Sequence, residues 1–266
     1  MITSTANPRI KQLVKWQSKA RERRRDGIFV AEGEKMFAEA PEGLIREVYL
    51  ETELEEKLKA GSTEKDRMLF NKLRQVGYEA VTLEVMRHAA DTQTPQGILT
   101  VLTQPSYEIK EVLSDPEGLY LLVEDLQDPG NLGTIFRTAE GAGVNGILLS
   151  GGTVDLFNPK TIRSTMGSVY RMPFFYIESM EQAFSLLREK GISTYAAHLQ
   201  GKSYYNEFSY RKGTAFLIGN EGNGLKQETA QAADYCLKIP MEGKVESLNA
   251  AISAAILLYE AHRQRG

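Results

Sequence analysis

Cysteine is almost absent from this chain: Cys236 is the single thiol in 266 residues. An intrachain disulfide and a multi-thiolate metal centre are therefore excluded. Histidine is nearly as scarce. His88, His198 and His262 are scattered with none of the spacing that ligands of one ion show, so no metal cofactor is expected. Long apolar runs are lacking as well: Ala250 to Tyr259, the longest, falls far short of the ~20 residues of a membrane span. No signal-peptide core, internal repeat or low-complexity tract is present. The reading is a cytoplasmic protein with no membrane partner. What the chain does have is 42% hydrophobic residues, enough to fill the cores of one large or two ordinary domains.

Excess positive charge is missing too. The formal net charge is −3, which argues against indiscriminate nucleic-acid binding. Its distribution is uneven, however. Residues 1–25 carry Arg9, Lys11, Lys15, Lys19, Arg21, Arg23, Arg24 and Arg25 against one acid, Glu22, and the rest of the chain is acidic. A basic segment on an acidic body suits an arm that contacts RNA phosphates. A solvated charged helix face explains the same residues equally well. A transit peptide ranks below both, because the segment runs straight into the strand at Phe29-Val30.

Hydrophobic periodicity predicts a first helix over about 7–24, with Ile10, Leu13, Val14 and Gln17 at helical spacing. Strands at 28–31, 44–50, 78–83 and 97–102 alternate with helices at 34–40, 52–60 and 65–76, giving a small α/β layer domain over 1–104. Residues 105–117 are polar with two prolines and read as a linker. Over 118–266, strands near 119–124, 145–150, 173–177, 192–197, 214–218 and 235–239 again alternate with helices, which implies a mainly parallel sheet covered on both faces.

Three stretches of this second half carry chemistry. Asn131 to Gly143 follows a strand and opens a helix, with Asn131 as its N-cap and Gly133, Arg137 and Gly141 at i, i+4, i+8. Gly219 to Gly224 is spaced G-x-x-G-x-G between a strand and a helix, unlike the dinucleotide fingerprint G-x-G-x-x-G. Ile239-Pro240-Met241 ends a strand, and Ser247 has the residue type of an N-cap for a last helix from Leu248 to about Arg263. Asn249 would then sit in an apolar helical run, where an unpartnered amide costs about 1–3 kcal/mol. Two broken loops and a helix start thus converge on a crevice of free backbone groups. Gln200-Gly201-Lys202-Ser203 is rejected as a phosphate loop, because Ala196 stands where the first glycine belongs.

The three stretches, taken as Asn131–Arg137, Gly219–Gly224 and Ile239–Asn249, closely resemble the signature motifs of the SpoU (TrmH-like) RNA 2′-O-ribose methyltransferases, over nearly all of 118–266. Residues 1–104, with Phe29-Val30-Ala31-Glu32-Gly33 and Gln96-Gly97-Ile98, resemble the L30e-like substrate-binding domain many of these enzymes carry. The resemblance implies a trefoil-knotted α/β methyltransferase domain, a homodimer with its active site completed across the interface, and S-adenosylmethionine as methyl donor. It implies Asn131, Arg137, Glu221, Ser247 and Asn249 as catalytic residues, and Gly219, Ile239, Met241, Ser247 and Leu248 around the cofactor. The matching arginine is often described as a general base. A guanidinium does not readily lose a proton, so orienting a ribose hydroxyl and holding a phosphate is physically easier.

Arg9, Lys11, Arg23, Arg24 and Arg25, with Lys160 and Arg163 after Asn158-Pro159, are then the candidate RNA contacts. For the second group a solvated helix is an equal reading. Ribosomal RNA is favoured over tRNA because the shorter tRNA-specific relatives lack the first domain. A catalytically idle RNA-binding protein of the same fold is the alternative of a different class. The retention of Asn131, Arg137, Glu221, Ser247 and Asn249 together argues against it.

Overall fold

The computed structural model of the chain describes residues 1–199 and 201–266. Gln200, the first residue of the rejected phosphate-loop reading, lies outside the described residues. The chain divides into two compact units, Met1–Pro105 with Asp155–Tyr170, and Ser106–Val154 with Arg171–Gly266.

The first unit is built on strands β1 (Ile28–Glu32), β2 (Ile45–Glu51), β3 (Glu79–Val81) and β4 (Ile98–Thr103), in the order β1-β4-β2-β3. β4 runs antiparallel to β1 and β2, while β3 is parallel to β2. Alternate side chains serve opposite faces. Tyr49, Leu99 and Val101 bury against Ile10, Leu13 and Val85 on one side, and Val48, Leu50 and Ile98 against Phe37, Leu58 and Leu73 on the other. The segment Asp155–Tyr170 belongs to this unit, with Phe157 and Tyr170 set against Phe29 at ring distances of 5.1 and 6.2 Å.

The single first helix expected over 7–24 is two, Pro8–Ser18 and Ala20–Asp26, broken at Lys19 in extended conformation. The arginine explains the break. Arg23 Nη1 donates to the carbonyls of Trp16 and Gln17, which satisfies the end of the first helix from the side. The strand expected over 78–83 stops at Val81 because Thr82 caps a further helix, Leu83–Ala89, that the periodicity did not reveal.

Among the described residues the second unit holds seven strands: β5 (Leu119–Val123), β6 (Gly146–Ser150), β7 (Phe174–Ile177), β8 (Ser193–Ala197), β9 (Ser203–Tyr204), β10 (Thr214–Ile218) and β11 (Tyr235–Lys238). Their order is β7-β6-β5-β10-β8-β11-β9, with every pairing parallel. β5, β6 and β10 are buried along their whole length, which is why they read as unbroken apolar runs. β9, two residues long, is too short to register in a sequence pattern. The stretch expected as a linker contains the helix Ile109–Val112, and Val112 and Leu113 are buried in the core of this unit. The helices Pro129–Gly141 and Ala250–Arg265 pack on each other, and the second also packs on β10. Their first turns lie where the loops of β5, β10 and β11 emerge.

Candidate active site

Beyond the carboxyl ends of β8, β10 and β11 lies a crevice of about 410 Å³. Gly219, Ile239, Met241, Ser247 and Leu248, the residues the resemblance implies around the cofactor, all line it, together with Leu199, Ile218 and Leu237. Two carboxylates, Glu221 and Glu246, share its wall. From Pro240 to Leu248 the backbone is in neither helix nor strand, so its N–H and C=O groups are uncommitted to any regular ladder. The size, the apolar side chains beside uncommitted backbone groups and, among the described residues, two carboxylates against the one cation Lys238 fit a small organic cation that carries a planar heteroaromatic ring. S-Adenosylmethionine is such a molecule.

Asn131, Glu221 and Asn249, far apart in sequence, meet beside the crevice. Asn131 Nδ2 donates to Glu221 Oε1 at 2.9 Å, and Asn249 Nδ2 donates to Asn131 Oδ1 at 2.9 Å. The backbone N–H groups of Gln127 and Asp128 complete the carboxylate's partners at 3.0 and 2.9 Å. Desolvation alone would raise the Glu221 pKa, but the hydrogen bonds it accepts outweigh this and hold the carboxyl below its ordinary range. A carboxylate so engaged is a fixed anion, suited to orienting amides and facing a cation rather than to taking up a proton.

Both helix caps differ from expectation. Asp128, not Asn131, caps the helix Pro129–Gly141, because its side chain accepts from the N–H of Asn131 at 2.8 Å and Pro129 occupies the first turn. Asn131 thereby sits inside the helix with its side chain free for Glu221. The last helix begins at Ala250, capped by Asn249, whose Oδ1 accepts from Ala251 and Ile252. Ser247 is left in the crevice wall, and Asn249 is a cap whose amide nitrogen is spent on Asn131, not an amide within an apolar run. Cap signals lie within two or three residues of one another here, and spacing alone does not choose between them.

Gly219 is required for a reason other than ligand approach. A Cβ there would stand 2.1 Å from the carbonyl carbon of Gly224 and 2.2 Å from the N of Leu225. The loop folds back on its own backbone through the Asn220–Gly224 pairing, which only glycine permits. Asn220 was missed in the sequence. Its Oδ1 accepts from Gly222 and Asn223 and its Nδ2 donates to the carbonyl of Asp125, so it braces the loop as an Asx turn. Glu246 was missed too, having no motif partner to mark it.

Arg137 is not among the residues lining the crevice. On an ideal helix it stands about 9 Å along the axis from Asn131 and about 120° around it. Its side chain is exposed and makes no hydrogen bond or ion pair among the described residues. Gly133 is buried whereas Gly141 shares the exposed side with Arg137, because a step of four residues drifts by about 40°. Next to Gly141 lies the hydroxyl of Tyr259, and Ile252 and Tyr259 of the last helix are 51% and 50% exposed.

The candidate RNA contacts separate into spent and unspent cations. Arg23 is 3% exposed and ion-paired to Asp155 at 2.6 Å, which removes it from the set. Arg9 is paired with Glu47 and Glu79, Arg25 with Glu22 and Asp26, and Arg163 with Asp91. Lys11 and Arg24 are exposed with no partner among the described residues, and Lys160 is exposed on the helix Pro159–Thr165.

Comparison with known proteins adds to this geometry. A model of the SpoU rRNA Methylase family matches residues 118–259, and one of the MRM3-like substrate binding domain matches residues 7–100. Over 262 residues the chain is 34% identical to the 23S rRNA (guanosine(2553)-2′-O)-methyltransferase RlmP of Bacillus subtilis (strain 168), with 97% of each chain covered. The SpoU methyltransferase AviRb from Streptomyces viridochromogenes, in complex with the cofactor AdoMet, superposes with a TM-score of 0.84 at 26% identity over 97% of this chain and 99% of that one. An AdoMet-bound rRNA methyltransferase from Sinorhizobium meliloti gives 0.82 at 30% identity over 98% and 97%.

Proposed function

The chain belongs to the SpoU rRNA methylase family, and from that premise we propose that it transfers a methyl group from S-adenosylmethionine to a ribose 2′-hydroxyl of ribosomal RNA. The observation that carries this reading is the Glu221–Asn131–Asn249 chain of hydrogen bonds at the edge of a crevice fit for the donor. When bound there, S-adenosylmethionine supplies an electrophilic sulfonium methyl. Ser247, Leu248 and the backbone near Gly219 and Ile239 would hold it. Glu221 keeps the Asn131 amide fixed and adds a negative charge to the crevice wall, which would favour a cationic donor. Alignment for an in-line displacement is the main task of such a site.

Arg137 orients the ribose hydroxyl and the adjacent phosphate through its planar fork. Its position apart from the crevice of its own chain, together with the open apolar face of Ile252, Ile256 and Tyr259 at helical spacing, supports a two-fold dimer in which Arg137 serves the neighbouring copy's crevice. The trefoil knot, the L30e-like first domain and a cytoplasmic location complete the reading. Among the described residues no helix is long and apolar enough to cross a membrane. Lys11 and Arg24 are the favoured phosphate contacts.

The test is transfer of labelled methyl from S-adenosylmethionine to ribosomal RNA of a strain lacking the gene, with 2′-O-methyl positions mapped in both strains. One position gained with the protein is expected. Identical maps together with no transfer in vitro would leave an idle RNA-binding protein.

A further inference from the structure

A second crevice, also of about 410 Å³, opens between the carboxyl ends of β5, β6 and β10. The strand order turns there: β6 and β7 lie on one side of β5, β10 and β8 on the other. Open α/β sheets take ligands at such a switch point. The loop of β10 is the partition, since Asn220, Asn223, Gly224 and Leu225 line both crevices. Resting on the methyl-transfer reading, we propose that this second crevice receives the base of the nucleotide whose ribose is methylated.

Charge argues for a base rather than a phosphate. Glu124 and Asp125 line the crevice against Lys226 alone, and the Lys226 ammonium is already 2.8 Å from Asp125 Oδ2. An anion would meet net negative charge, while an uncharged planar ring would not. Hydrogen-bonding capacity is also left over on this wall. Gln127 donates its Nε2 to the carbonyls of Asp125 and Gly152, yet among the described residues its side-chain carbonyl oxygen accepts nothing. The side-chain amide of Asn223 has no partner among them either. One free acceptor and one free amide suit the mixed donor and acceptor edge of an unpaired base.

The backbone beneath is strained and heavily braced. Asp125 has φ +53°, unusual for a residue with a side chain. Its N–H donates to Ser150 Oγ, its carboxylate accepts from Ser150 and pairs with Lys226, and its carbonyl accepts from Asn220 and Gln127. Strain of this kind persists where the surroundings enforce it, commonly at ligand clamps.

Isotope-labelled protein loaded with S-adenosylhomocysteine should be titrated with the four nucleosides and, separately, with inorganic phosphate. At least one nucleoside should move the side-chain amide signals of Gln127 and Asn223, and phosphate should move neither. Gln127→Ala should raise the RNA concentration for half-maximal single-turnover methylation by about tenfold, at unchanged S-adenosylmethionine affinity. Gln127→Met, which keeps the volume, serves if the alanine variant does not fold. Signals that respond to phosphate and to no nucleoside, or an unchanged RNA requirement in the variant, would overturn the proposal. Nucleoside shifts in a wild-type protein that methylates no RNA would fault the methyl-transfer reading and leave the base crevice standing.

Discussion

In the helix Ala20–Asp26 the guanidinium of Arg23 is 3% exposed and donates to Asp155, Trp16 and Gln17. In the helix Pro129–Gly141 that of Arg137 is exposed and meets nothing among the described residues. The two residues are chemically identical, and local sequence did not separate them: the first sits in a basic run that suggests RNA, the second on a helix that packs. The accounting of donors reverses the assignment for Arg23. A buried arginine with its fork spent holds the fold together, whereas one that keeps its donors free in solvent is available to a substrate.

The sharpest break of that comparison is Arg23→Ala. It leaves the Asp155 carboxylate, whose side chain is 12% exposed, without its partner. Removal of one member of a buried pair costs about 3–5 kcal/mol, so the midpoint of urea unfolding should fall sharply. The neighbouring Arg24→Ala, at an exposed unpaired cation, should stay within about 0.5 kcal/mol of the parent. Equal midpoints for the two variants would show that the ion pair is not structural.

Arg137→Ala should leave the unfolding midpoint almost unmoved and affect the reaction instead. Loss of a charge-assisted donor to the reacting groups commonly costs on the order of 10²–10³ in rate. Single-turnover methylation should drop accordingly while calorimetric affinity for S-adenosylmethionine is kept. Arg137→Lys should rescue poorly, since one ammonium cannot reproduce a fork that meets hydroxyl and phosphate together. A near-normal rate in the alanine variant would make Arg137 a bystander.

How far each helix was legible follows from the range of the signal. The strands β5, β6 and β10 show in the sequence because full burial on both faces enforces unbroken apolar runs. The motif loops are visible because a positive φ, as at Gly224, and a tight reversal against backbone, as at Gly219, demand glycine. The break at Lys19 was invisible, since it depends on a side chain four residues later reaching back to two carbonyls. Likewise the caps at Asp128 and Asn249 were hidden among several cap-like residues close together, any of which could have started the helix. Arg23 was misread because its partner, Asp155, lies 132 positions away. Residue type and spacing report local geometry, and a salt bridge across that distance leaves no trace in them.

The smallest expected effect tests what remains of the basic arm once Arg23 is removed from it. Lys11 and Lys15 lie four residues apart on the helix Pro8–Ser18, both exposed and both without partners among the described residues. Arg9 and Arg25 already sit against carboxylates, so each presents less net charge to a phosphate. Every phosphate that a cation ceases to neutralise reduces the slope of log affinity against log salt by about 0.7–0.9. Lys11→Glu with Lys15→Glu should therefore flatten that slope by about 1.5 in RNA-binding titrations. Arg9→Ala with Arg25→Ala should flatten it less, and neither pair should change cofactor affinity. If the arginine pair proved the more disruptive, the ion pairs would have to open on RNA binding. The distinction between spent and unspent cations would then hold for the buried Arg23 but not for the surface.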